Sequence, residues 1–122
     1  MIVGIGTDIV EISRFRNISE AFLKKVYSDA ELRFFHGTNH EFLAGNFAAK
    51  EAVAKALSTG FHGCSPKEIE ILRMPSGAPY AVLSGNARII HERAGNGKIF
   101  VSISHSKENA TAFAVLEGGE KA

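Results

Sequence analysis

The chain has 122 residues, of which 45% are hydrophobic and 22% are charged, a composition typical of a soluble globular protein. This length predicts one domain, residues 1–122, with a core of its own. The net charge of +1 gives no overall attraction to nucleic acid or to an anionic membrane. The only cysteine, Cys64, excludes an internal disulfide and a four-cysteine zinc site. The apolar N-terminus contains Asp8 and Glu11 and lacks a basic leader, so we expect no signal peptide, no membrane span and a reduced, cytoplasmic setting.

The stretch from Ile2 to Ile12 is rich in Ile and Val and predicts a β-strand. In extended geometry Asp8 shares one face of this strand with Gly4 and Gly6. Aspartate is poorly suited to strands, and glycine in a strand often marks the close approach of another backbone. We therefore expect something to dock against this face beside Asp8.

The next segment is basic. Ser13 is predicted to cap a helix that runs through Ile18. The region up to Lys25 carries four basic residues, Arg14, Arg16, Lys24 and Lys25, and one acidic residue, Glu20. Aromatic and aliphatic residues lie between these charges. This pattern fits a solvated helix face, a nucleic-acid site or a docking surface for a small acidic protein. The near-neutral net charge weakens the nucleic-acid interpretation.

A long helix is predicted from Glu41 to Ser58, ended by Gly60. One side of it is apolar, and the opposite side carries Glu51 and Lys55 one turn apart, flanked by alanines and Phe47. A helix that is apolar nearly all round is expected to be largely buried, so its few charges need partners. The plain alternative is an exposed Glu–Lys ion pair at i,i+4 spacing.

The remaining elements mix short helices and strands without regular βαβ alternation. This predicts an α+β fold with a mainly antiparallel sheet packed against the long central helix. The predicted elements are a short helix opened by a capping box at Ser28–Glu31 and running through Phe35, a loop from Phe61 to Lys67, strands Glu68–Met74 and Tyr80–Leu83 around a Pro/Gly turn, a helix Asn86–Ala94, a hairpin of Ile99–Ser104 and Ala110–Leu116, and a fraying tail Gly118–Ala122.

Asp8 and Glu51 are the two acids that folding explains least. A buried carboxylate must neutralise, pair or bind a metal, and two carboxylates without a histidine-rich set favour Mg²⁺. Asp8 could instead be a hydrogen-bonded turn or capping residue. Lys55 could neutralise phosphate oxygens or simply extend into solvent. His105, at a strand end, could donate to phosphate or serve only in packing. No G-x-S-x-G hydrolase signature or dinucleotide fingerprint is present.

Together these residues resemble the holo-[acyl-carrier-protein] synthase family, the small bacterial 4′-phosphopantetheinyl transferases. The resemblance covers nearly the whole chain in the right order. It is carried by Gly4–Val10, by Phe47–Ala52 with Lys55, and by Ser102–Ser106, with further matches at Gly77–Tyr80 and Leu83–Gly85.

The resemblance implies a transferase of fatty-acid biosynthesis that moves phosphopantetheine from CoA to a serine of an acyl carrier protein. It implies Asp8 and Glu51 as catalytic Mg²⁺ ligands and Lys55 as a catalytic residue that also contacts the CoA diphosphate. Further implied CoA contacts are Pro79, Ser104 and His105. It also implies a homotrimer with active sites between subunits, and carrier-protein docking at Arg14, Arg16, Lys24 and Lys25.

One position departs from the family pattern. Many relatives carry Arg at the position of Asn46; if that Arg holds a CoA phosphate, the contact here would come from another residue, such as Lys50. The general base is open between Glu51 and a water on the metal. Two other functions remain: a Mg²⁺-dependent nucleotide or CoA phosphohydrolase, and a basic binding module for an acidic protein or RNA.

Overall fold

The computed structural model describes residues 1–58 and 60–119. Within these ranges the α-helices and β-strands are, in chain order, β1 (Ile2–Glu11), α1 (Glu20–Val26), α2 (Asp29–Leu32), α3 (His40–Ala56), β2 (Ile69–Arg73), β3 (Pro79–Leu83), α4 (Gly85–Arg93), β4 (Ile99–His105) and β5 (Asn109–Glu117). Short 3₁₀ helices occupy Ile12–Phe15, Gly60–His62 and Pro66–Glu68. None of the helices described could span a membrane.

The strands form two antiparallel sheets. One has the order β1-β5-β4, and the other is the β2-β3 hairpin. In the larger sheet Asp8 on β1 lies opposite Ala112 on β5, which in turn lies opposite Ile103 on β4. The α+β class and its antiparallel sheet are therefore as the sequence predicts.

Helix α3 lies at the centre of the core. Its alanines Ala44, Ala48, Ala49, Ala52 and Ala54 are completely buried, because the helix packs against all three strands of the larger sheet and against β2. The predicted burial on nearly all sides is confirmed. Small side chains permit this, since they let several elements approach one helix at once.

Glycines set the distance between α3 and β1. A Cβ atom added to Gly4 would collide with the carbonyl oxygen of Ala56, and one added to Gly6 would collide with that of Ala52. The partner expected to dock against this strand face is thus the central helix itself. Because Asp8 is the next residue on the same face, the contact brings it to the C-terminal half of α3.

A buried charged network joins α2, α3 and β2. Glu31 closes the capping box that the sequence predicts at Ser28, and its carboxylate accepts hydrogen bonds from Lys50 Nζ at 2.6 Å and Asn46 Nδ2 at 3.0 Å. Lys50 also donates to the carbonyls of Pro66 and Ile69. Every buried side-chain polar atom in the described residues has a partner, as a buried ion pair requires.

Several local predictions are wrong. Ser13 caps no helix, because the chain forms only one 3₁₀ turn there; Ser19 instead caps α1 by accepting from the Phe22 amide. Helix α2 ends at Leu32 rather than Phe35, and the segment predicted as a loop contains two 3₁₀ helices. The predicted fraying of the tail falls largely on residues 120–122, which lie outside the described residues.

Candidate active site

Asp8 and Lys55 meet where β1 crosses α3. The Lys55 ammonium lies 3.7 Å from Asp8 Oδ1 and donates to the Thr7 carbonyl at 2.9 Å. Thr111 on β5 donates its hydroxyl to the Asp8 carbonyl and so ties this part of the strand in place. The ion pair of Lys55 is therefore made across elements, with Asp8, rather than along the helix with Glu51.

Glu51 lies one turn before Lys55 on α3 and is partly buried. Burial raises the pKa of its carboxyl above the usual range, the negative charge of Asp8 raises it further, and the charge of Lys55 opposes both. The site thus contains two carboxylates that repel each other and one ammonium group. One positive charge does not balance two negative charges, so the site can accept a further cation.

This donor set fits Mg²⁺. Within residues 1–58 and 60–119 no cluster of three or more His, Cys, Asp or Glu side chains could hold a metal alone. Magnesium is commonly held by one or two carboxylates, with water and substrate phosphates as the other ligands. Asp8 and Glu51 supply two carboxylates; burial first and then the charge of Asp8 raise the pKa of Glu51, and a bound cation would act against both effects.

His105 and Pro79, two of the residues implied to contact CoA, line one cavity of about 270 Å³ between β4, the β2-β3 hairpin and the start of α3. The same cavity is lined by Arg73 from β2, which donates from Nη2 to Asn46 Oδ1 at 2.8 Å. Arg73 is not among the site residues that the sequence predicts. Its only signal was a basic residue just before the Pro/Gly turn that leads to Pro79.

Lys50 does not reach this cavity. Its side chain is 0% exposed, and its three donors are used by Glu31, Pro66 and Ile69. Burial lowers the pKa of Lys50, while the nearby Glu31 carboxylate opposes the change. A side chain with no exposed surface and no spare donor cannot bind a CoA phosphate, so the expectation for Lys50 is wrong.

Ser104 faces away from α3. It lines a second cavity of about 320 Å³ on the outer surface of the larger sheet, together with Ile9 and Thr111. His105, at the end of β4, borders both cavities. The structure thus brings Pro79, Arg73 and His105 together, and connects Ser104 to them only through His105.

The four basic residues proposed to dock a partner are all exposed, but they do not share one helix. Arg14 lies in the 3₁₀ turn, Arg16 follows it, and Lys24 and Lys25 form the last turn of α1. Arg16 borders a cavity of about 260 Å³ that also contains His105 and Lys107. Lys107 is a further basic residue at this cavity and is not among the predicted docking residues.

Comparison with known proteins identifies the family. Residues 4–114 match the family model described as the 4′-phosphopantetheinyl transferase superfamily. The chain belongs to that superfamily. It is 46% identical to the holo-[acyl-carrier-protein] synthase of Clostridium kluyveri over 96% of this chain and 91% of that protein. A Clostridium perfringens synthase is also 46% identical, over 97% of this chain and 96% of that protein.

Solved structures of this family share the fold. The Bacillus anthracis synthase in complex with CoA (3′,5′-ADP) has a TM-score of 0.82 and 36% identity, covering 98% of this chain and 99% of that chain. The Plasmodium yoelii acyl carrier protein synthase with ADP bound has a TM-score of 0.87 and 34% identity, covering 98% of both chains. The predicted family, fold and enzyme class are confirmed.

The electrostatic coupling in this site can be measured. In metal-free buffer, Asp8→Asn should lower the pKa of Glu51, because it removes a neighbouring negative charge. The folded wild type holds the Glu51 proton more tightly than the unfolded chain does. Protonated Glu51 therefore adds to the free energy of unfolding below the ordinary Glu pKa, and this contribution is lost as pH rises through the raised pKa. In Asp8→Asn the free energy of unfolding should fall less between these two pKa values.

Side-chain carboxyl NMR titration and unfolding curves at several pH values give both quantities. Glu11→Gln, an exposed change on the same strand, is the control and should leave the Glu51 pKa unaltered. An unchanged Glu51 pKa in Asp8→Asn would show that the two carboxylates do not interact.

Proposed function

We propose that this chain transfers the 4′-phosphopantetheine group of CoA to a serine of an apo-acyl carrier protein, in the cytoplasm and with Mg²⁺. The observation that carries the proposal is the meeting of Asp8, Glu51 and Lys55 at one strand–helix crossing in a member of this superfamily. The expected acceptor is a carrier protein of fatty-acid biosynthesis.

The reaction is a phosphoryl transfer. The serine oxygen forms a bond to the phosphorus that carries pantetheine, and the bond from that phosphorus to the bridging oxygen breaks. Adenosine 3′,5′-bisphosphate leaves with the bridging oxygen, and the serine proton passes to the general base, either Glu51 or a water. Such a reaction needs alignment and charge neutralisation more than covalent catalysis by the protein.

Asp8 and Glu51 would hold the Mg²⁺ between them, next to the CoA diphosphate. The ion, when bound, neutralises diphosphate charge. Lys55 would also neutralise diphosphate charge. Its ammonium group is held by contacts to Thr7 and Asp8, and its side chain is still 50% exposed. An ammonium group has three donors, so one remains for an oxygen of the diphosphate.

The remaining parts of CoA would lie along the two cavities that meet at His105. Pro79 and His105 border the first, and Ser104 and His105 border the second. A ligand extending from Lys55 to these residues passes from the helix side of the sheet toward its outer face, where a second copy of the chain would complete the pocket.

The assembly proposed is a homotrimer with active sites between subunits. The outer face of the larger sheet exposes Ile5 (64%), Ile9 (66%), Phe100 (50%) and Phe113 (54%). Large apolar residues grouped on one sheet face favour association with another protein. Ser104, an implied CoA contact, lies on this same face. We therefore propose that a second copy of the chain covers the face and completes the CoA site.

The acidic carrier protein would dock on the basic residues of the segment that runs from the end of β1 through α1. Phe15 and Phe22 of this segment pack against Phe47 of α3, with ring centroids 5.5 and 6.2 Å from that of Phe47. This aromatic cluster fixes Arg14 and Arg16 relative to the helix that carries Glu51. A docked partner would thus be held in a defined position beside the site.

Mass spectrometry of apo-carrier protein tests the reaction. After incubation with CoA and Mg²⁺, the carrier should gain one phosphopantetheine group, and Asp8→Ala should lower the rate by about 100-fold or more because it removes a group that organises the charged transition state. Glu11→Ala is the matched control. Release of adenosine 3′,5′-bisphosphate without carrier would indicate a phosphohydrolase instead, and absence of the added mass would refute the transferase.

Charge reversal tests the docking surface. Arg14→Glu should raise the KM for the carrier protein about 3- to 10-fold, the range expected for losing and reversing an exposed ion pair, with little change in the KM for CoA. Lys98→Glu, an exposed change outside the basic segment, should alter neither value. Equal changes in both KM values for Arg14→Glu would argue against a separate docking surface.

A charge on the outer sheet face tests the assembly. Phe113→Lys should convert a particle of three chains into single chains, measured by light scattering, and should abolish transfer because each site would lose its second wall. Val82→Lys places the same charge on the partly exposed β3 and should leave the mass unchanged. A wild-type mass of one chain would exclude the trimer.

A further inference from the structure

Arg73 is a cation that forms no direct ion pair among the described residues, although Glu31 is near enough for its charge to favour the protonated guanidinium. Among the described residues no carboxylate oxygen lies within 4.0 Å of its guanidinium, although the group is partly buried at the end of β2. Its contacts are the Asn46 amide oxygen, the Leu72 carbonyl, and the face of the Phe42 ring 5.2 Å away. A cation held partly out of water without a carboxylate is suited to an anionic ligand.

Asn46 fixes the direction of this guanidinium. The Asn46 side chain is completely buried, and its NH₂ group donates to Glu31 Oε2 and to the Ile71 carbonyl, both at 3.0 Å. These two acceptors determine which way the amide faces, so its oxygen points to Arg73. Glu31 is itself held by the capping box and by Lys50. Asn46 is therefore a positioning residue for Arg73.

The cavity in front of Arg73 is concave and accessible. Besides Arg73 it is lined by His105 and Pro79, with Glu41 the one carboxylate among its lining residues. Burial lowers the pKa of Arg73 and the charge of Glu31 opposes that change, but a guanidinium remains protonated at any physiological pH. Arg73 can therefore act as a fixed positive charge with a planar pair of donors.

The place of Asn46 along α3 indicates which part of the ligand Arg73 meets. Asn46 precedes Glu51 by five residues, so the two lie about 7.5 Å apart along the helix axis. The diphosphate of CoA belongs near Glu51 and Lys55 under the proposed function. The other anionic group of CoA is the phosphate monoester on its ribose 3′-oxygen. We propose that Asn46 and Arg73 act as one unit that binds this 3′-phosphate, an inference that rests on the proposed function.

The test compares donors with and without that phosphate. Arg73→Gln should raise the KM for CoA about 10- to 100-fold, the effect of losing a charge-assisted hydrogen bond, and leave kcat nearly unchanged. Its KM for 3′-dephospho-CoA should equal that of the wild type. Arg88→Gln removes an exposed arginine on α4 and should change neither KM.

Asn46→Ala tests positioning. It should raise the KM for CoA but not for 3′-dephospho-CoA, whereas a purely structural defect would affect both donors. In the double variant Asn46→Ala/Arg73→Gln, the second change should add little to the first, because both act on the same contact. Additive losses would overturn the coupling. If thermal unfolding shows that Asn46→Ala does not fold, Arg73→Gln decides the assignment.

Direct binding separates this inference from the transferase assignment. Calorimetry should show that Arg73→Gln weakens binding of adenosine 3′,5′-bisphosphate about 10- to 100-fold and leaves binding of 5′-AMP unchanged. Equal weakening for both nucleotides, or none, would overturn the role of Arg73 while transfer by the wild type would still stand. Loss of transfer in the wild type would refute the proposed function, and the nucleotide pair would still test Arg73.

Discussion

The rest of the structure depends on the close contact between β1 and α3. Gly4 and Gly6 have no Cβ atoms where the carbonyls of Ala56 and Ala52 approach, so the strand and the helix meet backbone to backbone. Asp8 is the next strand residue on this face, and Glu51 and Lys55 directly precede the two contacting alanines on α3. Side chains as short as aspartate reach a shared point only if the two backbones are this close. The glycines and alanines that permit this close packing therefore also set the geometry of the charged site.

Two lysines on α3 illustrate how burial divides structural from functional charge. Lys50 is enclosed, and a carboxylate and two carbonyls use all its donors, so its role ends with joining α2, α3 and β2. Lys55, five residues on, pairs with Asp8 at 3.7 Å and keeps half of its side chain exposed. Two identical side chains on one helix thus differ in what they can do, because Lys55 can exchange its partner for a ligand and Lys50 cannot.

Much of the fold follows from sequence pattern, because alternation, turn residues and the capping box at Ser28 are local signals. The strand of Asp8, the central helix and the final hairpin are of this kind. The helix start at Ser19 was missed, since Ser13 is an equally good cap in sequence and only the 3₁₀ turn at Ile12–Phe15 decides between them.

Lys50 was misjudged for a different reason. Its partner Glu31 is 19 residues away, and no short-range pattern shows that the two are buried together.

Asn46 shows how a departure from a family pattern can be absorbed by the fold. The asparagine at this helix position donates to both Glu31 and Ile71 and remains enclosed. Its free oxygen then restrains Arg73, which arrives from β2 and borders the same cavity. A cation can thus reach this cavity from β2 although the helix position carries no arginine, and sequence position alone does not reveal which residue supplies it.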